Sequence, residues 1–333
     1  MLLGLPEDRL RALLKDFPGK RIAVIGDLMI DRYYWGSVHR VSPEAPVPVV
    51  EVESESIRFG GAANVANNIQ SLGGVPFLVG MTGDDHPGDL FAEMLSGQRL
   101  DASGIVRVPG RPTTIKTRVI AAGQHVVRFD NESKEEASPD IRERLVGVLR
   151  AAIGSIDGII IEDYNKGVVT EGLIREVVEI ARDHGKPVTV DPKYNNFFAY
   201  RDVTVFKPNR REVEESLGEK LRTTADVERA GARLLERLHA RNVLLTRSEE
   251  GMSLFESDGT VTHIPTTADV VQDVSGAGDT VIATLTMGLV AGANVREACL
   301  LANAAGGVVV GAVGIVPIRS DALAAAVLRG ARR

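Results

Sequence analysis

The chain alternates short apolar runs with longer stretches of helical periodicity, and this alternation restricts the folds that it can adopt. Patterns of buried strands cover 21–27, 158–161, 187–190, 203–206 and 242–245, and helical patterns cover 139–153, 171–184, 210–217 and 225–239. Strands separated by helices of this length predict a parallel sheet covered on both faces. We therefore expect an α/β fold with a central, mostly parallel sheet flanked by helices.

Polar residues stand at the carboxyl ends of several predicted strands. Ligands of parallel sheets bind beyond these carboxyl ends, so polar residues at that edge indicate a functional site. The residues in question are Asp27, Glu162, Asp163, Asp191, Asn209 and Thr246.

Two segments interrupt the alternation. Residues 47–52 form an extended pattern after a proline-rich lead, and 113–119 with 125–129 resemble a hairpin. Together they predict a small β-sheet lid, formed by about 33–59 and 111–130, within a single domain over 1–333. The alternative is that they are edge strands of the main sheet. An exposed small sheet with an apolar face also needs a partner, so we expect a homodimer through the lid.

Charge and cysteine content exclude several classes of partner. Net charge is −6, from 39 basic and 45 acidic residues, which argues against binding to nucleic acid or to an anionic membrane. The single cysteine, Cys299, allows no internal disulfide and no cysteine-based metal site, and this fits a reducing cytoplasm. The first residues carry charges and lack the apolar core of a signal peptide, and no apolar run is long enough to span a bilayer. We expect a cytoplasmic protein.

The strongest local motif is Gly276-Ala277-Gly278-Asp279 at the start of a long apolar helix. Small residues let the backbone approach a ligand closely, and free N–H groups at a helix N-terminus favour an anion. A transferring phosphoryl group needs such stabilisation, and Asp279 at the same point could accept a hydroxyl proton. The alternative is that Asp279 is only a helix N-cap.

A second glycine motif comes earlier. Gly60 and Gly61 precede a helical segment that contains Asn64, and Asp27 and Asp31 lie ahead of them. A glycine pair before a helix lets a sugar lie against the backbone, and an asparagine side chain can bond to its hydroxyls. Alone, this motif could be an ordinary glycine turn; no P-loop, dinucleotide fingerprint or His-Glu-x-x-His zinc motif competes with it.

With both motifs in place, the chain resembles the ribokinase/PfkB family of carbohydrate kinases over about residues 20–318. Residues 60–83 match the family's first signature and 273–279 the second, although Thr284 is bulkier than the small residue usual at its position. The resemblance implies a ribokinase-like fold, ATP as phosphoryl donor and Mg²⁺. It also implies that Asp279 is the catalytic base and that Gly276, Ala277 and Gly278 form the anion hole.

A finer resemblance concerns the substrate. The chain is similar to D-glycero-D-manno-heptose 7-phosphate kinases at 27–33, 40–49, 116–118, 163–167, 191–193, 207–209, Glu212 and 246–252, with Ser275 where those enzymes commonly have threonine. This implies phosphorylation of the C1 hydroxyl of that sugar phosphate, in ADP-heptose and lipopolysaccharide core biosynthesis. Many such kinases are fused to a nucleotidyltransferase domain; because this sequence ends at Arg333, we expect that activity on another polypeptide.

Basic residues on the predicted hairpin support a phosphorylated substrate. Alternation places Lys116 and Arg118 on one face, whereas the face of Arg128 depends on the hairpin register. A local basic group can bind a sugar phosphate, although such charges can also protect an edge strand from aggregation. The predicted substrate-binding residues are Asp27, Asp31, Gly60, Gly61, Asn64, Lys116, Arg118, Arg128, Asp163 and Lys166.

For the nucleotide, the resemblance implies a site at the ends of the later strands. We expect Glu212, with Asn209, to organise Mg²⁺ through water, because hard cations prefer oxygen ligands. The alternative for Glu212 is a first-turn carboxylate favoured by the helix dipole. The predicted nucleotide-binding residues are Lys193, Asn209, Thr246, Glu249, Gly251, Gly276, Gly278 and, near the adenine, Asn303.

Other functions stay open at this point. A kinase of the same fold could act on fructose phosphate, ribose or adenosine. A non-catalytic sugar-phosphate sensor is a second alternative, although a sensor has no need of the base at Asp279. A protein that binds a partner through its lid face is a third.

Overall fold

The computed structural model describes residues 4–268, 270–312 and 314–330, so the predicted domain limits at 1 and 333 lie outside the described residues. The strands are β1 (Arg21–Gly26), β2 (Leu28–Val41), β3 (Pro48–Gly61), β4 (Val75–Gly83), β5 (Ile105–Val108), β6 (Thr114–Ala121), β7 (Gln124–Asn131), β8 (Gly158–Glu162), β9 (Val188–Asp191), β10 (Val205–Phe206), β11 (Asn242–Thr246), β12 (Met252–Glu256) and β13 (Val261–Ile264). The helices are α1 (Glu7–Lys15), α2 (Ala62–Ser71), α3 (His86–Gly97), α4 (Pro139–Ala152), α5 (Glu171–Asp183), α6 (Arg210–Leu217), α7 (Thr224–Leu238), α8 (Ala277–Val290), α9 (Val295–Val309) and α10 (Ser320–Gly330).

The main sheet has nine strands in the order β13-β12-β11-β10-β9-β8-β1-β4-β5. Every neighbouring pair from β11 to β5 is parallel, and only β12 and β13 pair antiparallel at one edge. This arrangement confirms the predicted α/β class with a mostly parallel sheet.

Alternate residues of the central strands pack into two separate hydrophobic cores, one on each face of the sheet. Ile22 and Val24 of β1 pack on one side with α2, α8 and α9, whereas Ala23 and Ile25 pack on the other side with α4, α5 and α7. Successive side chains of a strand point to opposite faces, so a strand that is apolar throughout needs helices on both. Burial on both faces of the sheet explains why these strands are nearly continuous apolar runs in the sequence.

The second sheet has four strands in the order β3-β2-β6-β7, and we call it the lid sheet. It confirms the predicted hairpin and the separate small sheet, and it excludes edge strands of the main sheet for these segments. Strand β2 was not predicted as a strand. It begins directly after Asp27 and pairs antiparallel with β3 and parallel with β6.

Two helices and the segment before α10 meet at Asn68, which is fully buried in α2. Its side-chain oxygen accepts hydrogen bonds from the Thr280 hydroxyl and from the Ile318 N–H, both at 3.0 Å, and its amide donates to the Asn64 carbonyl at 2.9 Å. One side chain therefore joins α2, α8 and the segment before α10. Within the described residues, no helix is long and apolar enough to cross a membrane.

We expect Asn68→Ala to lower the free energy of unfolding by about 2–4 kcal/mol, because it leaves several buried polar groups without partners. Urea unfolding measures this change. Asn67→Ala, at a half-buried position of the same helix, is the matched control. Equal unfolding midpoints for the two variants would show that the Asn68 bonds contribute little.

Candidate functional site

The site begins with Asp279, the third residue of α8, whose residue surface is only 3% exposed. One carboxylate oxygen (Oδ2) accepts a hydrogen bond from the Asn64 side-chain amide at 2.6 Å, and the other (Oδ1) accepts one from the Tyr164 hydroxyl at 2.8 Å. Asn64 lies in the first turn of α2, and Tyr164 follows β8. Residues from three parts of the chain thus hold one buried carboxylate.

Burial raises the pKa of Asp279 above that of an exposed aspartate, although the hydrogen bonds from Asn64 and Tyr164 act to lower this pKa. A carboxylate with a raised pKa binds a proton more readily, which suits a general base at near-neutral pH. The two donors orient the group, and each oxygen retains a further lone pair for a substrate proton.

A tight glycine turn precedes Asp279. Gly276 has φ +75°, and a Cβ at this position would lie 2.9 Å from the Asn64 amide nitrogen. A Cβ on Gly278 would lie 3.3 Å from a carboxylate oxygen of Asp191 and 3.6 Å from the Lys207 amine. The turn therefore brings bare backbone at a helix N-terminus beside a buried lysine, a combination that favours a phosphate.

Three buried carboxylates converge below this turn. Oxygens of Glu162, Asp191 and Asp279 lie within 4.8 Å of one another, and Lys207 pairs with Asp191 at 2.7 Å. Glu162 is 0% exposed, and neither of its carboxylate oxygens has a hydrogen-bond partner in the described structure. Burial, followed by the charges of Asp191 and Asp279, raises the pKa of Glu162 well above its ordinary value. An unpartnered carboxylate beside two others is an oxygen donor set that fits Mg²⁺.

Sequence reasoning did not include Glu162, Tyr164, Asp191 or Lys207 in the predicted site. Glu162 and Asp191 stand at predicted strand ends, and Tyr164, Asp191 and Lys207 lie in segments that resemble the heptose kinases, but none of them was assigned to a substrate or nucleotide contact. Their convergence depends on the neighbouring order of β8, β9 and β10 in the sheet.

Two predicted substrate residues hold the loop after β8. The Asp27 carboxylate accepts three backbone N–H groups, from Tyr164, Lys166 and Val168, at 2.7–3.1 Å, and burial raises its pKa to about 6. Asp163 accepts the Tyr200 hydroxyl at 2.6 Å and the Asn165 N–H at 2.7 Å. Both carboxylates are buried and occupied, so their geometry supports a structural role, and contact with a substrate stays a prediction.

On the sugar side, β2 carries Asp31, which is buried and paired with Arg118 of β6. A Cβ on Gly60 would lie 2.2 Å from an Asp31 oxygen, so the glycine leaves room for this carboxylate. Gly61 has φ +57°, and a Cβ there would meet the Asp27 carbonyl at 2.4 Å. The glycine pair thus packs the start of α2 against β2.

Two lysines share one glutamate at the rim of the lid sheet. The Lys166 amine lies 2.6 Å from one oxygen of Glu132, and the Lys116 amine lies 3.6 Å from the other. Burial and the neighbouring Lys166 charge lower the pKa of Lys116. The hairpin pairs Arg118 with Arg128, which places both arginines on one face; Arg128, however, is 58% exposed and contacts Asp130.

On the nucleotide side, Glu212 forms a capping box with Asn209 at the start of α6. Its second oxygen lies 2.6 Å from the Lys193 amine, and Lys193 also stands over the Tyr164 ring at 5.1 Å. Burial acts to lower the pKa of Lys193, but the carboxylates of Asp191 and Glu212 outweigh it and raise this pKa. With both oxygens occupied, Glu212 fits a contact to Mg²⁺ through water better than a direct one.

The remaining residues that are predicted to bind the nucleotide lie along the next strands. Thr246, at the end of β11, pairs with Asn209 through an isolated parallel β-bridge of the backbone. Glu249 is exposed in a short 3-10 turn. Gly251 has φ +84°, and a Cβ there would meet the Ile264 carbonyl at 2.1 Å. Asn303 of α9 is buried and donates to the Pro265 carbonyl at 2.8 Å. Asn209 and Thr246 thus meet at one sheet edge, whereas Asn303 is bonded to the segment after β13.

Known proteins share both the sequence and the fold. The family model described as pfkB family carbohydrate kinase matches residues 20–320. The bifunctional protein HldE of Geobacter sulfurreducens is 48% identical over 291 residues, which are 87% of this chain and 59% of that protein. The bifunctional protein HldE of Helicobacter pylori strain J99 is 45% identical over 295 residues, 89% of this chain and 64% of that protein. The chain spans about three fifths of the length of these relatives.

Two solved structures have the same fold at low sequence identity. Arabidopsis thaliana ribokinase complexed with ribose and ATP superimposes with a TM-score of 0.72 at 19% identity, covering 93% of this chain and 98% of that one. The tetrameric inhibited form of Escherichia coli phosphofructokinase-2 gives 0.76 at 17% identity, covering 95% and 100%. The chain has the ribokinase-like fold, and it belongs to the pfkB family of carbohydrate kinases.

Proposed function

We propose that the chain transfers the γ-phosphoryl group of ATP to a sugar hydroxyl, with Asp279 as the base. The observation that carries this proposal is the buried Asp279 carboxylate, held by Asn64 and Tyr164 beside the glycine turn at the start of α8. Family membership supports the reaction class.

In the proposed reaction, the sugar hydroxyl gives its proton to Asp279 as its oxygen forms a bond to the γ-phosphorus. The bond from phosphorus to the bridging oxygen breaks, and ADP leaves with that electron pair. The backbone of Gly276, Ala277 and Gly278 and the Lys207 amine stabilise the negative charge of the transferring group. Glu162 and Asp191, with Glu212 through water, would hold magnesium, which would neutralise part of the phosphate charge.

We propose a sugar phosphate as the acceptor, specifically the C1 hydroxyl of D-glycero-D-manno-heptose 7-phosphate, to give the 1,7-bisphosphate for ADP-heptose and lipopolysaccharide core synthesis. The likeness to the bifunctional HldE proteins supports this choice. So does the charge at the lid rim, where Lys116 and Lys166 share Glu132. A phosphate dianion could replace Glu132 between the two lysines and relieve their mutual repulsion. We also propose that the reaction takes place in the cytoplasm, where ATP is available.

A second candidate is a kinase of another sugar, sugar phosphate or nucleoside. The observation that favours it is the fold shared with ribokinase and phosphofructokinase-2, which extends over nearly the whole of those chains. A non-catalytic sensor fits less well, because it has no need for an oriented, buried carboxylate at a helix N-terminus.

The deciding experiment measures ADP release with ATP, Mg²⁺ and D-glycero-D-manno-heptose 7-phosphate, fructose 6-phosphate, fructose 1-phosphate, ribose or adenosine. We expect turnover with the heptose phosphate, and about a 10²- to 10⁴-fold lower kcat for Asp279→Asn, the range typical of general-base removal. Turnover of another acceptor alone would replace the heptose assignment, and near-wild-type kcat in Asp279→Asn would remove the base assignment.

The contribution of the phosphate contact is tested in the same assay. Lys166→Met should raise KM for the phosphorylated sugar more than kcat falls, whereas Lys134→Met, an exposed lysine near Glu132, should change neither. An equal effect of both variants would indicate only a change in surface charge.

The pH dependence of kcat follows from the raised pKa of Asp279. The base must be deprotonated, so turnover falls as pH drops through this raised pKa. The Tyr164 hydrogen bond lowers the pKa of Asp279, so Tyr164→Phe should move the acid limb of the profile to higher pH. Tyr194→Phe, an exposed tyrosine, is the control. An acid limb unmoved in Tyr164→Phe would contradict the assignment.

We also propose a homodimer through the lid sheet. Val127 and Phe129 of β7 lie on the face opposite Arg118 and Arg128 and are 51% and 54% exposed. Exposed apolar residues on one face of a small sheet favour association.

Phe129→Glu should convert the dimer to a monomer in sedimentation velocity at micromolar concentration, because a carboxylate would be buried in the interface. Val75→Glu, at an exposed position on β4, should leave the dimer intact. A monomeric wild-type protein, or a dimeric Phe129→Glu variant, would refute this interface.

A further inference from the structure

Strand β3 of the lid sheet contacts the segment that follows α9. The Arg58 guanidinium donates a hydrogen bond to the Ile315 carbonyl at 2.9 Å. Gly314 has φ +76°, and a Cβ there would lie 2.5 Å from an Arg58 nitrogen. Arg58 therefore packs against bare backbone, which only a glycine in this conformation allows.

The same segment is bonded to the glycine turn before Asp279. The Gly314 N–H donates to one oxygen of Asp273 at 3.0 Å, and the other oxygen accepts the Ser275 N–H at 2.9 Å. A Cβ on Gly276 would lie 3.4 Å from the Ile315 side chain. A displacement of the 314–315 segment therefore reaches the proposed anion hole through the Asp273 carboxylate, and the Ile315 side chain lies close to Gly276.

Arg58 lies on the same face of the lid sheet as Asp31, Tyr33 and Arg118, directly opposite Asp31 of β2. The guanidinium carbon of Arg58 lies 5.5 Å from the centre of the Tyr33 ring, and that of Arg118 lies 5.2 Å from the same ring. Tyr33 is buried, its hydroxyl has no hydrogen-bond partner in the described structure, and its ring stacks on Trp35 at 6.1 Å. Arg118 in turn pairs with Asp31.

We propose that Arg58 is a positioning residue that couples the nucleotide side of the site to the lid sheet. The proposal rests on the proposed function, in which the phosphoryl group lies at Gly276 to Gly278 and the sugar lies under the lid. When phosphate binds at the glycine turn, the turn and the Gly314–Ile315 backbone shift together. Arg58, which is bonded to this backbone, then changes its contact with the Tyr33 ring. The coupling is reciprocal, so a bound sugar strengthens nucleotide binding by the same factor.

An arginine is suited to this position because its planar guanidinium can stack on a ring while an edge N–H donates to a carbonyl. A lysine could keep the charge and one hydrogen bond, but it lacks the planar surface. The coupling should therefore be strongest with arginine at position 58, weaker with lysine and weakest with an uncharged side chain.

The chain's single tryptophan makes the coupling measurable without knowledge of the sugar. Trp35 lies in the lid sheet and stacks on Tyr33, so its fluorescence reports on the contact that Arg58 makes. Titration with MgADP should change Trp35 emission in the wild-type protein. In Arg58→Met this response should be lost while calorimetry still detects MgADP binding, and Arg58→Lys should retain part of it.

Arg32→Met is the matched control. Arg32 lies on the neighbouring strand, on the face opposite Tyr33, where it pairs with Glu55 at 3.0 Å. It should keep the full Trp35 response. In turnover assays with the accepted sugar, Arg58→Met should raise the sugar KM at saturating ATP about fivefold or more, the lower range of measured coupling between sites.

The outcomes separate this inference from the proposed function. A Trp35 response of wild-type size in Arg58→Met refutes the coupling, as does a silent Trp35 in a wild-type protein that binds MgADP by calorimetry. A wild-type protein that does not bind MgADP overturns the proposed function and the coupling with it. If Arg58→Met does not fold, the comparison of Arg58→Lys with Arg32→Met decides.

Discussion

The arrangement of the site depends on one buried carboxylate at a helix N-terminus. Asp279 lies where α8 begins, and its two oxygens are held by Asn64 of α2 and by Tyr164 after β8. Burial disfavours the charge, whereas the two donors favour it, and the resulting pKa is raised. Other buried residues fix the elements that carry these two donors. Asn68 joins α2 to α8, and Asp27 fixes the backbone of the loop that carries Tyr164.

Charge is balanced separately on the two sides of this carboxylate. On the nucleotide side, Lys207 pairs with Asp191 and Lys193 pairs with Glu212, while Glu162 has no partner among the described residues. On the lid side, Lys116 and Lys166 share Glu132, and Asp130 lies near both Lys116 and Arg128. One side thus has a carboxylate without a partner among the described residues, which suits a cation, whereas on the other side three basic groups share two carboxylates, which suits an anion. This division of charge supports the proposed pair of ligands, a metal-bound nucleotide and a phosphorylated acceptor.

Much of the fold could be predicted from the sequence because its signals are local. The buried runs that became β1, β8, β9 and β11 and the helices between them depend only on neighbouring residues. Strand β2 was not predicted because only its first residues are apolar and buried in a run, and its extended form depends on pairing with β3 and β6. The face of Arg128 required the hairpin register, which pairs it with Arg118. Glu162 could be recognised as a strand end. That its carboxylate has no hydrogen-bond partner among the described residues depends on residues far along the chain.

The position of the site follows from the order of the strands. The chain leaves β1 through β2, β3 and α2 to reach β4 on one side, and it leaves β5 through β6, β7 and α4 to reach β8 on the other side of β1. Because these two connections cover opposite faces of the sheet, a crevice opens between the carboxyl ends of β1 and β8. Asp27 stands at one edge of this crevice and Glu162 at the other, and α8 points its N-terminus toward it. Strand β2 of the lid sheet follows β1 directly at this point. The lid is therefore continuous in the chain with a strand that borders the crevice. In the proposed function, the topology would therefore place a sugar under the lid beside Asp279.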